Sequence, residues 1–181
     1  VERTALSRMS VKQNEKRITP VFGKSGYESE HETCRHNGHT RKARNGVPGG
    51  GGCSVRILWH GVKGSIKTGY GAQTKLFTPR IRDAGHEIAI NSRLDQYQTG
   101  VDSDGIINFA SGSKWDMMGN DYVAVNYAHY EPDVVISMCD AFTCEPTIFD
   151  KFAWYPWVMI DSKPITWENL ECLKACRRPI A

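Results

Sequence analysis

The chain has 181 residues, 40% of them hydrophobic, with 23 Lys or Arg against 20 Asp or Glu and a formal net charge of +3. That length supplies one domain with a sizeable core and excludes two large ones. No apolar run approaches the ~20 residues of a spanning helix, and the charged opening VERTALSRMSVKQNEKR lacks a signal peptide's apolar centre, so the sequence reads as cytoplasmic, without a membrane span.

Charge is unevenly placed. Residues 1–54 hold ten Lys or Arg against five Glu, a net of +5, and residues 55–181 hold thirteen against fifteen, a net of −2. The first stretch has little apolar periodicity and ends in GVPGGGGCS, a run whose ordering would cost much backbone entropy. It reads as a flexible basic extension with a glycine linker. Arg41, Lys42 and Arg44 offer weak contact with nucleic acid through phosphate charge alone. Cys34, His36, His39 and Cys53 are four potential zinc ligands, but their spacing fits no standard finger. The other cysteines, Cys139, Cys144, Cys172 and Cys176, read as reduced thiols on buried faces; a metal held by Cys172 and Cys176 with Cys139 and Cys144 is the alternative, which the lack of a CxxC pair disfavours.

From Val55 onward short apolar strands alternate with helical segments, which predicts an α/β fold: a Rossmann-like, mostly parallel sheet with helices on both faces. VRILWH (55–60) is the first predicted strand. A helix over 71–84 follows, with Ala72, Leu76, Phe77, Ile81 and Ala84 on its apolar side, Pro79 inside it as a kink, and Gly85 as its left-handed cap. HEIAIN (86–91) and DGIINFA (104–110) are the second and third strands. A helix opening near Asn120 and Asp121 leads into DVVISM (133–138), the fourth strand. EPTIFDKF gives a short helix, AWYPWVMI (153–160) a fifth strand, and TWENLECLKAC a helix capped by Thr166. RRPIA begins a sixth strand. Alternation puts Trp154 and Trp157 on opposite faces, which argues for packing and against a shared sugar-stacking platform.

The segment GVKGSIKTGYG (61–71) joins the first strand to the first helix through about ten residues, longer than the usual two to six. Such a turn is the common phosphate-binding place of these sheets, because free amides and the helix dipole converge there. Gly64 and Gly69 have Walker spacing, but Tyr70 stands where the phosphate-reaching lysine belongs. The close-spaced pair Gly69 and Gly71 comes last, unlike a dinucleotide fingerprint, which disfavours a nicotinamide enzyme.

In order, VRILWH, TGYGAQTKLFTPRIRDAGHEIAI, GNDY, PDVVISMCDAF, WVMIDSKP and RRPIA resemble the N-terminal half of a GT-B glycosyltransferase of family 4, of the bacterial and phage type. The resemblance spans nearly all of 55–181 and implies a Rossmann-like half whose donor-gripping partner half lies beyond Ala181. It implies sugar transfer from a nucleotide-sugar donor with retention of configuration, no other cofactor, and a glycan, lipid, protein or modified-DNA acceptor. A nucleotide- or DNA-binding module without chemistry is the alternative.

By that resemblance Gly64, Thr68, Gly69, Tyr70, Gly71, Gln73 and Thr74 form the donor loop. Asp140 and Asp161, at the carboxyl ends of the fourth and fifth strands, stand where catalytic side chains collect. Asp140 is equally explained as a helix cap, and Asp161 with Ser162 and Pro164 as a turn. Lys163 is placed to meet a phosphate, and His60 closes the first strand at the same edge.

Overall fold

The computed structural model describes residues 33–36, 39–42, 54–94, 98–112, 116–159 and 163–180. The chain separates into two units, Val1–Glu30, which lies outside the described residues, and His31–Ala181, which holds every element described below. Among the described residues no helix is long and apolar enough to cross a membrane.

Two short strands, β1 (Thr33–His36) and β2 (His39–Lys42), pair antiparallel inside the stretch that reads as a structureless extension. Asn37-Gly38 between them is a strong sequence signal for a two-residue hairpin. The glycine linker and the side chains of Cys34, His36, His39 and Cys53 fall outside what is described.

The second sheet has the order β5-β6-β4-β3-β7-β8. At its centre lies β3 (Arg56–Val62), buried from Ile57 to Val62 and paired in parallel with β4 (Glu87–Arg93) on one side and β7 (Val134–Met138) on the other. A strand flanked on both sides and covered on both faces must be apolar almost throughout, which RILW satisfies. Beyond β7 comes β8 (Trp154–Trp157), and a parallel bridge from Trp157 to Ile180 starts the predicted sixth strand. The parallel strands thus lie third, second, first, fourth, fifth. The winding reverses between β3 and β7, the place where such sheets open a crevice at their carboxyl ends.

The third strand differs from its expectation. Only Ile107–Phe109 (β6) pair with β4, and Gly100–Val101 (β5) pair antiparallel with β6. The Asp102 carboxylate accepts from the amides of Asp104 and Ile106, and Gly105 takes φ +75, so DSDG is a turn.

Helix α1 (Gly69–Asp83) covers one face, where Phe77 and Ile81 pack on Ile57, Trp59, Ile88 and Ile90. Its buried stripe is rotated from the predicted one: Gly71, Thr74 and Thr78 face inward, and Ala72, Leu76 and Ala84 lie exposed. The threonines fit because their hydroxyls are used internally. Thr74 Oγ1 accepts from Trp59 Nε1 at 3.0 Å, and Thr78 donates to the Thr74 carbonyl. Pro79 lies within the helix, which runs on to Asp83, and Gly85 follows with φ +93.

The opposite face is covered by α2 (Asn120–Tyr130), α3 (Pro146–Phe149) and α4 (Trp167–Leu173), the last with Thr166 accepting from the Asn169 amide. Leu58, Val123, Val135, Phe149 and Trp154 form the core there. Trp154 and Trp157 do fall on opposite faces, Trp157 packing with Trp59 and Phe77.

Candidate functional site

The glycine-rich segment between β3 and α1 satisfies itself. The Ile66 amide bonds to the Lys63 carbonyl and the Thr68 amide to that of Ile66, so the chain folds back before the helix. Thr68 is the N-cap, its hydroxyl accepting from the Gly71 amide at 3.0 Å. A Cβ on Gly71 would lie 2.1 Å from the Ile66 carbonyl oxygen, so what this glycine approaches is the segment's own backbone. Gly64 packs on the backbone of Lys75, and Gly69 is exposed, with nothing within 4 Å of a built Cβ. Thr74 is fully buried beneath Trp59, and Gln73 is half-buried. The amides of Gly69 and Tyr70, at the helix's positive end, have no backbone partner among the described residues.

Tyr70 turns to the sheet's carboxyl edge and donates from its hydroxyl to Asp140 Oδ1 at 2.6 Å, joining two predicted site residues seventy positions apart. Burial, and then the bond to Asp140, hold this phenol's pKa well above its ordinary value. Asp140 follows β7 and precedes a 3-10 turn, Ala141–Thr143, that its backbone carbonyl caps; its side chain makes no capping bond. Among the described residues the carboxylate is thereby left to Tyr70.

Arg93 closes β4 at the same edge. It is 5% exposed, its Nη2 touches Met118 Sδ, its Nε has no hydrogen-bond partner, and no described carboxylate pairs with it. Its charge acts on Tyr70, His60, Cys139 and Cys144. An isolated buried guanidinium is costly, and an anion bound beside it removes that cost. The sequence carries a signal for it only in retrospect: a charged residue ending an otherwise apolar or small-polar strand, EIAINSR.

Beneath this edge lies a polar network. His60 is fully buried on β3 between Asn91 of β4 and Ser137 of β7. Asn91 Nδ2 reaches His60 Nδ1 at 2.8 Å and the Gly119 carbonyl at 3.2 Å, and Asn126 donates to Asn91 Oδ1. Burial first, and Arg93 second, push His60 well below its usual pKa, so the ring is neutral. Its Nε2 has no partner. Cys139 and Cys144 flank the 3-10 turn with their sulfurs 3.5 Å apart. The bond from Cys144, and further the charge of Arg93, hold the Cys139 thiol low against the opposing effect of burial, and Cys144 is raised in turn.

Asp161 lies outside the described residues, and Lys163 is exposed. A shallow depression of about 170 Å³ lined by Lys63, Gly64, Asp102 and Asn108 sits toward the sheet's edge, away from Tyr70, Arg93 and Asp140. Its Asp102 carboxylate is already committed to Asp104, Ile106 and Asn108. Comparison of the chain with protein families, curated proteins and solved structures gives no match.

Proposed function

We propose that the crevice between the carboxyl ends of β3 and β7 holds the diphosphate of a nucleotide sugar, and that the chain is the N-terminal half of a transferase moving that sugar with retention. The observation that carries this is Arg93, a buried guanidinium without a described carboxylate at the sheet's ligand edge. Two amides at the start of α1 without a backbone partner among the described residues add a second source of positive potential. In that arrangement the leaving diphosphate is stabilised by fixed dipoles and one fixed charge as it departs, without a titrating group. Asp140, held by Tyr70 and free of capping duty, is placed to accept a hydrogen bond from a sugar hydroxyl.

A second reading is a module that holds a nucleotide without chemistry. It is favoured by Gly71, whose open side is filled by the Ile66 carbonyl and is no ligand cradle. Calorimetric titration of the full chain with UDP- and GDP-sugars separates the outcomes. Saturable binding that inorganic pyrophosphate competes away supports the site, and slow release of free nucleotide from the bound sugar supports the transferase over the module. Absence of binding to every nucleotide sugar and to pyrophosphate overturns both.

A further inference from the structure

We infer that His60, Cys139 and Cys144 bind a single thiophilic divalent cation, zinc, beneath the crevice floor. A ring nitrogen of His60 and the two sulfurs all lie within 4.8 Å of one another, and all three residues are buried. The separation of 3.5 Å between the sulfurs corresponds to an angle of about 100° at a zinc ion held ~2.3 Å from each, inside the tetrahedral range. With Nδ1 occupied by Asn91, Nε2 is the ring nitrogen left for a ligand, and it is a fully buried polar atom without a partner. Imidazole with two thiolates is a donor set that favours zinc over hard cations, which prefer oxygen.

Electrostatics and topology agree with this set. Loading releases the two thiol protons, and the ion with two thiolates is neutral overall, so no net charge is buried. Coordination through Nε2 puts the ring proton on Nδ1. The Asn91 carboxamide, turned so that Oδ1 faces the ring, then accepts it, giving up its present bonds to the Gly119 carbonyl and from Asn126 Nδ2. The ion would tie β3 to the turn that carries Asp140, fixing that carboxylate's place whether or not the crevice takes a nucleotide sugar.

The test uses the full chain with Cys34→Ser and Cys53→Ser, which removes the thiolate candidates of the basic extension. After chelator treatment it is titrated with Co(II). One equivalent should give thiolate-to-cobalt charge transfer and intense tetrahedral visible bands, all bleached by one equivalent of zinc. Cys139→Ser or Cys144→Ser should remove these bands, Cys172→Ser should leave them, and Asn91→Leu should weaken binding by about 10- to 100-fold. Absence of thiolate bands in the folded parent, or their survival in the Cys139→Ser/Cys144→Ser double variant, overturns the site. Should the cysteine variants not fold, alkylation of the unmutated chain decides. Zinc should protect Cys139 and Cys144, and equal labelling with and without zinc contradicts the inference.

Discussion

Two turns at the carboxyl edge of the same sheet contrast in what they leave over. The β3–α1 segment is conspicuous in sequence, with three glycines in eight residues, yet the structure spends its glycines on its own backbone: Gly71 on the Ile66 carbonyl, Gly64 on Lys75. The turn after β7, CDAFTC, carries no motif, yet around it lie a carboxylate that caps nothing, a buried thiol pair, and an unpartnered nitrogen on His60, with a guanidinium that has no described carboxylate partner at the same edge. Glycine spacing reports that something comes close. It does not report whether that is a ligand or the chain itself.

The sharpest break of this contrast is Gly71→Ala against Gly69→Ala. The first puts a methyl group 2.1 Å from a carbonyl oxygen and should cost about 3 kcal/mol or more in urea unfolding. The second meets nothing and should be neutral or stabilising by up to about 1 kcal/mol, since it removes a glycine from a helix. Equal losses at both positions would mean that the segment is not closed on itself.

Arg93→Met should have the opposite sign. Removing a buried charge that has no described carboxylate partner is expected to raise stability by about 1–2 kcal/mol, the mark of a residue kept for binding. A loss of stability would place Arg93 among structural residues.

Thr74→Val then separates packing from binding within the predicted loop. It leaves Trp59 Nε1 a buried donor without an acceptor, at a cost of about 1–2 kcal/mol, with nucleotide affinity unchanged.

That prediction bears on what the sequence made legible. The succession of strands and helices follows from alternation and turn chemistry, and β3, β4, β7, β8 and the Thr166-capped helix lie where apolar runs and cap residues put them. The α1 stripe was misplaced because two threonines bury when their hydroxyls are satisfied locally, a pairing with Trp59 that no helical periodicity encodes. The β5–β6 and β1–β2 hairpins carry local signals, Asp-Gly at 104–105 and Asn-Gly at 37–38, but their strands are too short for alternation to reinforce them. His60 is legible as the end of an apolar strand at this edge, whereas Arg93, Asn91 and the Cys139–Cys144 pair converge on it from another strand and a turn, so no single stretch announces them.

Tyr70→Phe is the mildest change. Losing the half-buried bond to Asp140 should cost about 1 kcal/mol near neutrality. The Tyr70 phenol is raised above its unfolded value of 10.0, so it remains neutral in the folded chain where the unfolded chain ionises. Its stabilising effect is therefore complete below pH 10 and declines as pH rises beyond it. Urea midpoints should fall more steeply above pH 10 in the parent than in Tyr70→Phe. Parallel curves would separate Tyr70 from Asp140.

The central claim is that binding at this edge runs chiefly through Arg93 and does not need a glycine at position 69, whose amide an alanine retains. Titrating a nucleotide sugar into the parent chain, Gly69→Ala and Arg93→Met, each confirmed folded, tests it directly. The account predicts parental affinity in Gly69→Ala and at least a tenfold loss, about 1.4 kcal/mol, in Arg93→Met. Undiminished affinity in Arg93→Met, with a loss in Gly69→Ala, would contradict it.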